Sequence, residues 1–114
     1  MSLTDLSFIQ QFTGNDPVKA KKYITMFLAS APGLVSKMEH AIETNDFDTL
    51  RINAHSLKPL ISYMGIVTLE QPIKDIESYA ANNTNAETLR TMLQNFKLQI
   101  GKAIEELKEK EASL

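Results

Sequence analysis

One histidine of this chain has neighbours that suit it to chemistry more than to packing. His55 lies in the run Ala-His-Ser-Leu-Lys, within a stretch whose apolar residues recur at helical spacing. That predicted buried stripe is Leu50, Ala54, Leu57, Ile61 and Met64. At about 100° per residue, the imidazole projects well away from the stripe and toward solvent. An exposed imidazole beside cations is a candidate for transient chemistry with an anion, phosphate above all.

Two strips of side chains border His55 on the predicted helix. The apolar strip is Ile52, Pro59 and Tyr63, and the cationic strip is Arg51, Lys58 and Ser62. The cations disfavour a charged imidazolium, which keeps the ring nucleophilic, and Lys58 can pair with a phosphoryl group on it. A protein partner can bury the apolar strip and match the charge of the cationic strip. We predict that His55 and Lys58 carry the chemistry and that the other five residues dock a partner.

Several other kinds of site are disfavoured by the same residues. No glycine-rich phosphate loop or nucleotide fingerprint occurs, so we predict no kinase or other enzyme, and a partner must bring the phosphoryl group. Ser56 diverges from His55 by about 100° on a helix, too far for a nucleophile and its base. His40, the only other histidine, has no metal-ligand spacing to His55. We predict no metal site and no cofactor in this chain, although a lone exposed histidine is most often an ordinary surface residue.

Length and composition predict one globular domain over residues 1–114. The net charge of -2 and the lack of a basic block argue against a nucleic-acid partner. With no cysteine, disulfides and thiolate sites are excluded. The first residues do not form a signal peptide, and the longest apolar run is shorter than the roughly 20 residues of a membrane span. We expect a cytoplasmic monomer that makes no membrane contact.

Helix signals dominate the chain, and strand signals are weak. The predicted helices are a short one from Thr4 to Phe12, one after Asn15-Asp16-Pro17, one from the Asn45-Asp46 cap to Gly65, one from Leu69 to Ala81, and one after a capping box of Thr84 with Glu87. On the second helix we expect Ile24, Leu28, Ala31, Val35, Met38 and Ile42 to be buried, and because Pro32 lies inside this span we expect a kink or short break near Ala31. Four long helices with one apolar stripe each predict an all-α, antiparallel up-down four-helix bundle with a short extra N-terminal helix.

The residues around His55 resemble the signature of histidine phosphotransfer (HPt) domains of bacterial two-component phosphorelays. The resemblance rests on the run 54–58 and on Gly65, ten residues after the histidine. It extends to the turn 45–51 before that helix and to the segment 69–78, with Glu77, after it. From about Asp16 to Leu107, the chain is similar to the helical layout of that domain.

This resemblance implies a function that the spacing alone does not. It implies that His55 accepts a phosphoryl group on Nε2 from a receiver-domain aspartate or a hybrid sensor histidine kinase, and passes it to another response-regulator receiver domain. Lys58 would assist electrostatically, and the receiver would hold the magnesium. The chain departs from the family at Pro59, where glycine is usual. Proline removes the N–H that would bond the His55 carbonyl, so we expect a kink there and either a reshaped docking surface or weaker transfer.

The sequence leaves two other hypotheses open. The chain could be a helical adaptor that binds a receiver or a kinase through Ile52, Pro59 and Tyr63 without being phosphorylated. It could also be a structural subunit whose apolar surface is an oligomer interface.

Overall fold

The structure, a computed structural model, describes residues 2–83 and 85–114. Its five helices are α1 (Ser7–Phe12), α2 (Pro17–Glu43), α3 (Phe47–Tyr63), α4 (Val67–Ala81) and α5 (Ala86–Ser113). Helices α2 to α5 form a four-helix bundle, α1 is the short extra helix, and the described ranges contain no strand. The predicted all-α architecture is confirmed. None of these five helices is long and apolar enough to cross a membrane.

The four long helices surround one apolar core. Helices α3 and α5 each pack against both α2 and α4, so α3 and α5 occupy diagonal corners of the bundle. The predicted stripe of α3 is buried in full, and it packs with large side chains such as Phe27 of α2 and Phe96 of α5. On α2, Leu28 is only half-buried, contrary to its prediction, because the adjacent Phe27 takes the inward position.

Side-chain capping bonds lie at the N-termini of α2, α3 and α5, whereas α1 and α4 have none. The carboxylates of Asp16 and Asp46 accept backbone N–H groups in the first turns of α2 and α3, as predicted. Gly65 follows α3 with a φ of 64°, the left-handed conformation expected of a C-terminal glycine. At α5 the capping side chain is Asn85. The predicted capping residue Thr84 lies outside the described residues.

The N-terminal segment, residues 2–6, is not helical, so the predicted start of α1 at Thr4 is wrong. Two backbone N–H groups of the segment donate to the carboxylate of Glu106 on α5, at 2.7 Å each. The next N–H group, that of Asp5, donates to the carbonyl of Met64 at 3.1 Å. These long-range bonds hold the segment in a non-helical path across the end of the bundle, and α1 begins only after it.

Helices α2 and α3 each continue through an exposed proline without a break. Pro32 lies inside α2 and Pro59 lies inside α3. Because proline has no N–H, the carbonyls of Leu28 and His55 lose their usual partner one turn on. Both prolines are on the exposed side of their helix, where water can satisfy these carbonyls. Helix α2 has no break near Ala31, and the kinks near Ala31 and at Pro59 stay predictions.

Helix α4 begins two residues before its predicted start at Leu69 and ends at Ala81, as predicted. Ile73 and Ile76 face the core. The earlier start places Pro72 in the second turn of the helix. Helix α4 packs against α3, and the candidate site lies where these two helices meet.

Candidate functional site

His55 projects from the middle of α3 into solvent, with 68 % of its side chain exposed. All three members of the apolar strip are exposed beside it. In the cationic strip, Ser62 is exposed, whereas Arg51 and Lys58 are half-buried. The structure therefore brings the seven predicted site residues together on one outward surface of α3.

A carboxylate from the neighbouring helix joins this surface. Glu77 of α4 places Oε2 at 2.5 Å from Nδ1 of His55 and Oε1 at 2.8 Å from Nζ of Lys58. Its side chain is only 20 % exposed, because α4 packs closely against α3. One carboxylate thus connects the two residues that the sequence predicts to carry the chemistry.

The contact with Glu77 determines which imidazole nitrogen is free. An ionised carboxylate only accepts hydrogen bonds, so Nδ1 of His55 carries the proton and donates it to Oε2. In the neutral ring, Nε2 then keeps its lone pair. The geometry therefore prepares Nε2 as a nucleophile at an exposed position.

The pKa of Glu77 reflects the same contacts. Burial by itself would raise the pKa, but the hydrogen bonds from Lys58 and His55 outweigh it and hold the pKa of Glu77 below its ordinary value. The carboxylate is therefore charged at neutral pH. The residues of α3 by themselves suggest a purely cationic surface beside the imidazole. The structure adds the negative charge of Glu77 from α4.

The sequence indicates no role for Glu77 in the site beyond its place in the segment 69–78 that resembles the family. The only local signal is its place next to Ile76, at the edge of the inward stripe of α4. Edge positions point toward a neighbouring helix, but their partner depends on how the helices pack. Within residues 2–83 and 85–114, no group of three or more His, Asp or Glu side chains could hold a metal ion.

The sequence profile of the Hpt domain family matches residues 22–110, which include all of α3 and α4. This chain belongs to the Hpt domain family. The resemblance of the residues around His55 is confirmed. Hpt domains are phosphotransfer intermediates of two-component phosphorelays, and their partners are receiver domains and histidine kinases.

Two solved structures share the fold of this Hpt domain. Histidine-containing phosphotransfer protein B (HptB) from Pseudomonas aeruginosa PAO1 has a TM-score of 0.87 at 17 % identity, over 98 % of this chain and 96 % of its own. The HPT domain of the Hpt sensor hybrid histidine kinase from Shewanella has a TM-score of 0.82 at 23 % identity, over 96 % of this chain and 94 % of its own. At these identities the similarity shows the fold. Among curated protein sequences, none matches this Hpt domain significantly.

Proposed function

We propose that this Hpt domain accepts a phosphoryl group on Nε2 of His55 from the aspartate of a receiver domain or from a hybrid sensor histidine kinase. It then passes the group to the aspartate of another receiver. The observation that carries the proposal is the 2.5 Å contact between Nδ1 of His55 and Glu77, which directs Nδ1 to the carboxylate and leaves Nε2 as the nitrogen that faces solvent on an exposed ring.

The transfer needs only one bond to form and one to break. The Nε2 lone pair forms a bond to phosphorus while the bond between phosphorus and the aspartate oxygen of the receiver breaks, and the carboxylate leaves with that electron pair. The ring keeps its Nδ1 proton and becomes a cation. Glu77, already ionised and in contact with Nδ1, stabilises that cation. The same steps in reverse pass the phosphoryl group to the next receiver.

Lys58 supports the negative charge that arrives with the phosphoryl group. Its ammonium group is held by Glu77 at 2.8 Å, one helical turn from His55 and on the same outward surface. A lysine can reorient to pair with a phosphoryl oxygen because its ammonium group is a flexible point charge. We assign the magnesium ion of the reaction to the receiver, and no cofactor to this chain.

The receiver docks, in this proposal, on the surface around His55. Ile52 and Tyr63 offer exposed apolar area, while Arg51 and Ser62 offer polar contacts on the other side. Pro59 presents an exposed ring directly between the histidine and Tyr63, where the family usually has glycine. We propose that this ring adapts the docking surface to a particular receiver. We further propose that residues 1–114 act as one domain and as a monomer.

The decisive experiment replaces the histidine. Incubation with a phosphorylated receiver and magnesium should label the wild-type protein with acid-labile phosphate, and His55→Gln should abolish the label because the amide lacks a nucleophilic nitrogen. The matched control is His40→Gln, which removes the other histidine, also exposed, from α2 and should be labelled normally. Label that survives His55→Gln contradicts the assignment.

The adaptor hypothesis makes a different prediction in the same experiment. An adaptor would bind a receiver through Ile52, Pro59 and Tyr63, with His55 only as a contact, and no phosphate would be transferred. Binding without any label on the wild-type protein would therefore favour the adaptor over the phosphorelay intermediate.

A further inference from the structure

Arg51 lies one helical turn before His55, on the same outward surface of α3. Residues four apart on a helix are neighbours, with Cβ atoms about 5–6 Å from each other. A helical side chain also leans toward the N-terminal end of its own helix and covers the preceding turn. The imidazole of His55 therefore lies over the turn that carries Arg51, and the long arginine side chain can reach it.

The two cations of the strip differ in what they already bind. The ammonium group of Lys58 is paired with Glu77 at 2.8 Å. Arg51 forms no ion pair with any carboxylate in residues 2–83 and 85–114, not even with Asp48, one turn earlier on α3. Arg51 is half-buried all the same, so packing restricts its side chain to few positions. Its guanidinium group is thus held near the histidine without a competing anion.

A phosphoryl group alters the charge balance of this site. Before transfer, Lys58 and Glu77 neutralise each other beside a neutral ring. The phosphoryl group then brings about 1.5 to 2 negative charges at pH 7. The ring becomes a cation, but Glu77 offsets that charge through its contact with Nδ1. Lys58 can offset only one charge of the phosphoryl group, so about one negative charge remains for a further cation.

The orientation of the ring favours Arg51 for this charge. The two nitrogens of an imidazole point in nearly opposite directions, and Nδ1 of His55 points to Glu77. A phosphoryl group on Nε2 therefore projects away from Glu77 and from the ammonium group that Glu77 holds. The guanidinium group of Arg51 is a planar fork that can donate two parallel N–H bonds to two phosphoryl oxygens.

We propose that Arg51 binds the phosphoryl group on phosphorylated His55 and thereby biases the phosphotransfer equilibrium toward this Hpt domain. This inference rests on the proposed function, and it gives Arg51 a role that a docking contact does not have. Arg51 acts as a positioning residue in the phosphorylated domain while no receiver is bound. The contact stabilises the phosphorylated form, so this domain retains the phosphoryl group against return to the donor.

An equilibrium measurement separates this role from docking. The equilibrium constant for transfer between a receiver and this Hpt domain depends only on the separate proteins, each with and without phosphate. A docking contact exists only in the complex, so its loss changes the KM and the rate but leaves the equilibrium constant unchanged. Loss of a contact with the phosphoryl group in the separate Hpt domain changes the equilibrium constant itself.

The experiment mixes a phosphorylated receiver with the Hpt domain and magnesium and measures the phosphate on each protein at equilibrium. Arg51→Gln keeps a polar side chain without the charge and should shift the equilibrium constant roughly fivefold toward the receiver. Arg51→Lys keeps the charge without the fork and should shift it less. The matched control Arg90→Gln removes an exposed arginine of α5 and should leave the constant unchanged. Circular dichroism checks that each variant is folded.

Ionic strength gives a second measurement on the same proteins. Arg51 and His55 are both open to solvent to some extent, so dissolved ions screen a contact between the guanidinium group and the phosphoryl group. The shift caused by Arg51→Gln should therefore be smaller at about 0.5 M salt than at about 0.05 M salt. A shift of equal size at both salt concentrations would contradict a direct contact between the two charges.

The outcomes distinguish this inference from the proposed function. If Arg51→Gln has the wild-type equilibrium constant, Arg51 does not hold the phosphoryl group, and a raised KM with that constant makes Arg51 a docking contact only. If Arg90→Gln shifts the constant as much as Arg51→Gln does, net charge is the cause and the inference is wrong. If no receiver labels the wild type at all, the proposed function itself fails, and this inference fails with it.

Discussion

At the scale of single residues, one carboxylate serves two partners. Glu77 accepts from Nδ1 of His55 and from the ammonium group of Lys58 through different oxygens. At rest, the lysine neutralises the carboxylate and the carboxylate orients the ring. When phosphate arrives, Lys58 can turn to the phosphoryl group while Glu77 retains the ring that has become a cation. In the proposed transfer, Lys58 therefore changes its partner while Glu77 keeps its contact with His55.

A substitution of Lys58 tests its proposed contact with the phosphoryl group. Lys58→Ala should slow receiver-to-histidine transfer roughly fivefold, the effect of losing about 1 kcal/mol of a partly exposed charge contact. The fold should stay intact, which circular dichroism can check. Lys74→Ala removes an exposed lysine of α4 and is the matched control. An unchanged transfer rate and an unchanged phosphohistidine lifetime in Lys58→Ala would remove Lys58 from the site.

At the scale of secondary-structure elements, the junction after α3 fixes the position of α1. Gly65 has a φ of 64°, and a Cβ atom there would overlap the carbonyl oxygen of Asp5. The glycine is needed both for its backbone conformation and for the close passage of the N-terminal segment. This is a physical reason for a glycine ten residues after the histidine.

Two glycine substitutions should have opposite effects on stability. Gly65→Ala should lower the free energy of unfolding by about 1–3 kcal/mol and loosen α1, because both the left-handed backbone and the contact with Asp5 are lost. Gly101→Ala, inside α5 with open space around it, should raise the free energy of unfolding by about 0.5–1 kcal/mol. Urea unfolding measures both, and limited proteolysis reports the release of α1. Equal effects of the two substitutions would contradict the close passage.

At the scale of the whole molecule, the two ends of the chain are joined by one carboxylate. Glu106 of α5 accepts bonds from the backbone N–H groups of Leu3 and Thr4 and from the hydroxyl groups of Ser2 and Thr4. Burial would raise the pKa of Glu106, but these bonds outweigh it and lower the pKa from 4.5 to about 2. The ionised form is therefore the one that holds the N-terminal segment.

This pKa predicts an acid-sensitive contribution to folding. A carboxyl group whose pKa is lower in the folded state stabilises the fold above its unfolded pKa, and the contribution is lost as the pH falls from 4.5 toward about 2. Glu106→Gln should reduce the free energy of unfolding by about 2 kcal/mol at pH 7, and the difference from wild type should vanish near pH 2. The control Glu105→Gln alters only an exposed pair with Lys108 and should change stability little. A difference that does not depend on pH would contradict the role of the ionised carboxylate.

Much of the architecture follows from local spacing. The stripe of α3, the caps at Asp16 and Asp46 and the turn at Gly65 depend on neighbours three to five residues away, so they can be predicted from the sequence. The exposure of His55 follows from the same periodicity. The predicted start of α1 at Thr4 is wrong because the N–H of Thr4 donates to Glu106 instead of joining a helix. Glu106 lies more than a hundred residues further along the chain, so no local pattern indicates this bond.

The sequence by itself determined that a histidine would stand out from a helical bundle with a lysine one turn away, because helix periodicity depends only on local order. Only the tertiary structure decided what the imidazole faces. Glu77 reaches His55 from 22 residues along the chain, and Phe8 reaches Tyr63 from another helix. Such pairs depend on which helix edges meet and in what register, and no local spacing encodes that. Packing therefore converted an exposed histidine into a ring with one oriented nitrogen and an aromatic border.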